Sequence, residues 1–244
     1  MTAPSWLHLF LDVPEAQWDA ALAFWPAATG TSLSSTRGEA GQFVTLLPAE
    51  GDPWVKLQRL DETGAQPRTH LDLDSTDRAA AVARSIALGA VPAWHYHDVE
   101  VCRSPGGLLL CHTVGPRGTL ARTSDLVLDQ LAIDIPAPLW DTETRFWQDL
   151  LGGELLIGSR PELALLQGAD VGPRILLQRL DDPTGPVRAH PDLACADRAA
   201  ATTRHTDLGA TVVGEGPRWT VLRAPGGQVY CLTDRDPGTG RLPG

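Results

Sequence analysis

The chain is written twice. Asp12-Val13-Pro14 returns as Asp134-Ile135-Pro136, Trp18-Asp19 as Trp140-Asp141, Phe24-Trp25 as Phe146-Trp147 and Gly30 as Gly152, each 122 residues on. From Leu57 the offset is 120. Leu57-Gln58-Arg59-Leu60-Asp61 matches Leu177-Gln178-Arg179-Leu180-Asp181, and Arg68-x-His70-x-Asp72-Leu73 matches Arg188-x-His190-x-Asp192-Leu193. Asp77-Arg78-Ala79, Leu88-Gly89-Ala90, Pro105-Gly106-Gly107 and Cys111 recur as Asp197-Arg198-Ala199, Leu208-Gly209-Ala210, Pro225-Gly226-Gly227 and Cys231. Ordered matches with a single two-residue slip mean two copies of one domain. The slip lies between Gly30 and Leu57, in a segment expected to be a loop or hairpin, where length changes cost little. The domains are expected at 1–115 and 126–244, joined by a polar linker at 116–125.

Each copy reads as two similar halves. Leu7–Val13 is an apolar run suited to a strand. Pro14-Glu15 then opens a helix to about Ala28, since proline and an acid suit a first turn whose amides are unpaired. Trp18, Leu22 and Trp25 form its buried stripe, and Gly30 stops it. Strands follow at about Ser32–Thr36, Gln42–Leu47 and Trp54–Leu60. In the second half Arg68–Leu73 is a strand, Thr76 or Asp77 caps a helix that ends at Gly89, and Val91–His95, Val99–Arg103 and Leu108–Val114 are strands. The order is βαβββ, four times along the chain, and the fold class is α+β. Pro191 lacks a backbone donor, so its strand is expected to be an edge or locally irregular.

The formal charge is −10, which repels phosphate backbones and argues against a nucleic-acid partner. No apolar run reaches the roughly 18–20 residues of a membrane span. No secretory signal is read at the N-terminus. The four cysteines show no C-x-x-C pair, so a reduced, cytoplasmic protein is expected, as a monomer or homodimer.

The fourfold βαβββ order, the Phe-Trp helix end before Gly30 and Gly152, the His-x-Asp-Leu strands, the Leu-Gly-Ala helix stops and the Pro-Gly-Gly turns resemble the vicinal oxygen chelate superfamily. That superfamily includes glyoxalases, bleomycin-resistance proteins and extradiol dioxygenases, and the resemblance is to its glyoxalase-like branch. It implies two tandem glyoxalase-like domains with curled mixed sheets around a cleft. It also implies that ligand-binding or metal-binding side chains come from the first and fourth strands of a module. Carried over, those positions are His8, Gln58, His70 and Cys111 in the first copy, and Gln130, Gln178, His190 and Cys231 in the second. Cys111 and Cys231 stand where the family has Glu, and Gln58 and Gln178 where an acid is frequent. None of these positions supplies the carboxylates that Mg or Mn prefers. His8, His70 and Cys111 would suit zinc, which accepts imidazole and thiolate.

The leading expectation is a small-molecule-binding protein without a catalytic metal, holding a compact organic ligand in the sheet cleft, with Trp54 among the lining residues. The alternative is a metal-dependent lyase, isomerase or dioxygenase built on His8, His70 and Cys111 in the first domain. A third reading is a structural role with no ligand. A cysteine on an apolar strand, as Cys111 is, is usually a small core residue, and His70 and His190 are read also as groups that hydrogen-bond across the sheet.

Overall fold

The computed structural model describes residues 3–61, 64–97 and 99–243. The first copy runs β1 (Trp6–Pro14), α1 (Trp18–Thr29), β2 (Ser32–Leu33), β3 (Phe43–Leu47), β4 (Val55–Leu60), β5 (Arg68–Ser75), α2 (Arg78–Ala87), β6 (Val91–Tyr96), β7 (Val99–Arg103) and β8 (Leu109–Val114). The second runs β9 (Leu126–Pro136), α3 (Trp140–Leu151), β10 (Glu154–Ile157), β11 (Leu163–Gln167), β12 (Arg174–Leu180), β13 (Arg188–Cys195), α4 (Arg198–Asp207), β14 (Thr211–Gly216), β15 (Trp219–Arg223) and β16 (Val229–Thr233). This is the α+β class and the fourfold βαβββ order read from the repeat.

Each copy forms one open, mixed eight-stranded sheet. The strand orders are β2-β3-β4-β1-β5-β8-β7-β6 and β10-β11-β12-β9-β13-β16-β15-β14. β5 runs parallel to β8 and β13 parallel to β16, while the β6–β7–β8 and β14–β15–β16 pairings are antiparallel. Both first strands are central, and Leu7, Leu9, Leu11 and Val13 on β1 are fully buried.

The helix starts and stops follow from local chemistry. A 3₁₀ turn at Glu15–Gln17 precedes α1, so the helix proper starts at Trp18 rather than at Pro14. Gly30 closes it at φ 68°, a left-handed conformation that a side chain would strain. Asp77 and Asp197 cap α2 and α4 by accepting the amides of Ala80 and Ala200 at 3.0 and 2.9 Å. β2 is only two residues long, shorter than expected, whereas its counterpart β10 pairs over four. The two-residue slip therefore falls in the β2–β3 connection. Pro191 does not sit on an edge strand: β13 lies between β9 and β16. Its ladder to β16 begins at Asp192, one residue past the proline, whereas the β5–β8 ladder begins at His70. The irregularity is local to the proline.

By its internal contacts the chain divides into two compact units that cut across the sequence copies. One contains Met1–Leu9, His70–Gly118 and Leu131–Ala189; the other contains Phe10–Thr69, Thr119–Gln130 and His190–Gly244. Each unit thus packs a βαβββ half from one copy against a half from the other.

In the first unit α3 clasps the Pro105-Gly106-Gly107 turn. The amide of Gly106 donates to Glu143 Oε1 at 2.5 Å and Trp147 Nε1 donates to Glu143 Oε2 at 2.7 Å. Burial pushes the Glu143 carboxyl above its ordinary value, against the lowering pull of these hydrogen bonds. Only glycine fits at 106, because a Cβ there would come within 2.4 Å of Val187 Cγ2.

In the second unit Phe24 and Trp25 of α1 pack on Tyr230, with ring centroids 6.0 and 5.2 Å apart. His205 joins them through a 2.8 Å bond from its Nδ1 to the Tyr230 hydroxyl. Gln228 Nε2 donates to the carbonyl of Asp12 at 2.9 Å. Aromatic pairs of this kind add about 0.5–1.5 kcal/mol beyond area burial.

Candidate metal centre

In a parallel ladder, residues in register share a face of the sheet. Asp192 on β13 is in register with Cys231 on β16, and His190 is two residues before Asp192, so all three project from one face. They converge. His190 Nε2 lies 3.5 Å from Cys231 Sγ and 3.3 Å from Asp192 Oδ1. The three donor atoms lie within 4.8 Å of one another, and all three residues are buried. Among the described residues no other group of histidine, cysteine and acidic side chains meets this condition.

The carboxylate of Asp192 is held from behind. Gln130 Nε2 on β9 donates to Oδ2 at 2.6 Å, and Arg235 Nη1 stands 3.7 Å from the same oxygen. Arg235 is itself anchored on Asp129, which Arg122 also pairs at 3.2 Å. Burial alone would raise the Asp192 carboxyl. The hydrogen bond and charge of His190, then the Arg235 guanidinium and the Gln130 amide, bring it below its ordinary value. Its other oxygen, Oδ1, is buried and faces the His190 ring nitrogen at 3.3 Å.

The same ring nitrogen of His190 faces both the thiol and the carboxylate. That is not the relay of a nucleophilic triad, in which the base uses one nitrogen for the nucleophile and the other for the acid. It is an arrangement in which three donors point at one place. Zn–N, Zn–O and Zn–S bonds of about 2.0–2.3 Å at tetrahedral angles put N and S about 3.5 Å apart, and N and O about 3.3 Å apart. Both observed separations agree. The residues therefore fit a soft divalent ion, with Gln130 and Arg235 orienting the carboxylate ligand as outer partners commonly do.

The first copy is arranged differently. His70 and Cys111 share a face, because Cys111 is in register with Asp72. His8, however, turns to Asp74: its Nε2 lies 3.2 Å from Asp74 Oδ2, and Thr113 Oγ1 donates to Oδ1 at 2.6 Å. His70 Nε2 is 3.9 Å from Asp72 Oδ1, longer than in the second copy. Cys111 packs with Val99, Val101 and Leu109 in a small apolar cluster. His8, His70 and Cys111 thus do not form a metal-type group, and the convergent set is in the other copy.

Gln58 on β4 is in register with Phe43 and lies in the second unit, whereas Gln178 on β12 is in register with Leu163 and lies in the first. Trp54 is buried and donates from Nε1 to the carbonyl of Leu128 at 3.0 Å. Asp192 is the member of this group that the sequence reading did not single out. The His-x-Asp pattern was visible in both copies, but the family positions drew attention to the histidine alone. Arg235 had no signal, because it lies beyond the last matched residue.

Among the described residues no helix is long and apolar enough to cross a membrane. The profile of the glyoxalase-like domain family matches residues 8–113 and again 130–233. No curated protein matches the chain by sequence. Among solved structures, the Mn(II)-bound glyoxalase from Novosphingobium aromaticivorans is similar at 21% identity and TM-score 0.67, over 100% of this chain and 87% of that one. The 2,3-dioxygenase LapB from Pseudomonas sp. KL28 is similar at 14% identity and TM-score 0.64, over 96% and 93%. An extradiol ring-cleaving dioxygenase from B. fuscum is similar at 14% identity and TM-score 0.65, over 98% and 74%. At these identities the likeness is one of fold. With both copies matched by the family profile, the chain belongs to the glyoxalase-like domain family of the vicinal oxygen chelate superfamily.

Proposed function

We propose that this protein binds a compact, oxygen-bearing organic ligand at a divalent metal held by His190, Asp192 and Cys231. This is the metal-dependent alternative, of the lyase, isomerase or dioxygenase kind, placed in the second copy instead of the first. The observation that carries it is the convergence of three buried donors within 4.8 Å of one another, with the His190–Cys231 and His190–Asp192 separations matching those of ligands on one tetrahedral ion. Zinc suits the donor set, since thiolate and imidazole are softer than the ligands manganese prefers. When bound, such an ion supplies Lewis acidity to a ligand oxygen. The chain's own residues keep the site ready: Gln130 and Arg235 hold the carboxylate, and Asp129 holds Arg235.

One observation favours the metal-free reading as second choice. Arg235 already provides a positive charge near Asp192, so the carboxylate is tolerated in its buried place without an ion.

The test is metal analysis of chelator-stripped protein after zinc or cobalt is restored. One ion per chain is expected, lost in His190→Ala and Cys231→Ala and kept in His70→Ala and Cys111→Ala. Cobalt would report thiolate ligation by its charge-transfer band. Failure to take up either metal, or uptake indifferent to His190, refutes the metal reading and leaves the metal-free one.

A further inference from the structure

The second unit contains a cavity of about 240 Å³ that shares no residue with the candidate metal centre. Its walls are the end of α1, the β3–β4 turn, β4, the linker and the start of β9. The linker is clasped rather than draped: the amide of Asp52 donates to the Thr119 carbonyl at 2.8 Å, and the amide of Thr119 donates to Asp52 Oδ2 at 2.9 Å. Gly51 is packed so closely on the linker that a Cβ would lie 2.7 Å from the Ala121 nitrogen. The space is therefore built into the native fold.

Two features define what would enter it. The walls include apolar side chains, among them Leu46, Val55, Leu126 and Leu128, together with Trp54. The charged groups are Glu50, Asp52 and Asp125 against a single base, Arg204. Arg204 does not offset the acids freely, because its Nη2 is bound to the carbonyls of Ala27 and Ala28 at 2.6 and 2.9 Å. Those carbonyls belong to the negative end of α1, which also faces the cavity through Thr29 and Gly30.

The position equivalent to Leu128 in the other copy is Trp6. In the first unit Trp6 reaches Gly172, the equivalent of Asp52, so closely that a Cβ there would be 2.5 Å from the indole. One unit thus fills this corner with an indole, and the other has a leucine and a carboxylate beside an open space.

We infer that this cavity is a second binding site, for a small organic cation with a flat apolar body. An ammonium group would meet the acids, and the apolar body would lie against the leucine and tryptophan wall.

The probe is 2-phenylethylammonium, with phenylacetate as its anionic counterpart, titrated calorimetrically into the intact chain at low salt. Saturable one-to-one binding of the cation is expected, with the anion weaker by about tenfold or more, on the scale of a few close charges near a protein surface. In the Glu50→Gln, Asp52→Asn, Asp125→Asn variant that preference should vanish while the cavity stays. Those three side chains are exposed, and asparagine still offers an oxygen to the Thr119 amide. Leu128→Trp, which copies the filled corner, should abolish binding of both probes. Equal affinities for the two probes, no saturable binding at millimolar cation, or unchanged binding in a folded Leu128→Trp protein would each overturn the inference.

Discussion

Two histidines are buried as uncharged groups, one in each unit, and they should make the protein acid-labile in a defined window. His112 on β8 is fully buried, with Nε2 2.7 Å from Ser85 Oγ of α2. His205 of α4 is fully buried against Phe24 and Tyr230. Burial is the main cause in both cases, helped by the charge of Arg84 or Arg204 and partly opposed by backbone groups at Leu73 or Ala28. Each ring is lowered from 6.5 to about 4. A histidine with a depressed folded pKa binds its proton more readily when unfolded. Its contribution is therefore fully present above about pH 6.5 and is lost as the pH falls toward 4. The shift corresponds to roughly 3 kcal/mol per histidine, and two of them are comparable to the whole stability of an ordinary domain. Urea unfolding between pH 7.5 and 4.5 reads this directly. Below about pH 6.5 the wild-type protein should lose up to about 1.4 kcal/mol per pH unit for each histidine, and above it the curve should level off. His112→Gln should flatten the dependence of the first unit and His205→Gln that of the second, whatever each does to stability at pH 7.5. If the variants run parallel to the wild type across the window, the histidines are not the groups that take up protons on unfolding, and the burial argument fails.

Two further outcomes follow from buried groups. Glu143→Ala removes the acceptor of two buried donors, Gly106 N–H and Trp147 Nε1–H, and should destabilise the first unit by about 2–4 kcal/mol, read as a lower midpoint in thermal unfolding. Cys195 is buried and its thiol is pushed up to about 12 by burial, so native protein should leave it unlabelled by iodoacetamide while denatured protein labels it fully; rapid native labelling would contradict the burial.

The repeat made the architecture legible, because helix stops, caps and turns are local and appear twice in order. Pairing of the halves was not legible. The two halves that could follow Phe24-Trp25 carry the same turn and helix-stop motifs, and the choice rests on a few partners. Phe24 and Trp25 meet Tyr230, whose equivalent in their own copy is Leu110. Glu143 meets Gly106, while its own equivalent is Ala21, which adjoins Gly226. A buried polar pair joins helix to last strand in both, but through different strand positions: Ser85 meets His112, whereas its equivalent His205 meets Tyr230, the counterpart of Leu110. Such complementarity is seen only when both partners are in place.

The site shows the same limit, and one residue explains why the metal-type group formed in the second copy. Position 74 is Asp in the first copy, and its counterpart at 194 is Ala. In the first copy Asp74 captures His8, the polar side chain of the central strand, with Thr113 completing the carboxylate. In the second copy no acid stands at 194, so the equivalent Gln130 turns to Asp192 and steadies it beside His190 and Cys231. Asp74→Ala should therefore make the first copy resemble the second: His8 loses its carboxylate partner and becomes available to the face shared by His70, Asp72 and Cys111. The expected outcome is a rise in bound zinc from one to two ions per chain, the added ion being lost again when His70→Ala is combined with Asp74→Ala. The substitution leaves the Asp74 backbone carbonyl in place for the Ser5 amide, so the start of β1 keeps its anchor. A folded Asp74→Ala protein that still binds one ion would show that the His8–Asp74 pair is not what separates the two copies. The difference would then lie with Gln130 and Arg235, the groups that orient Asp192.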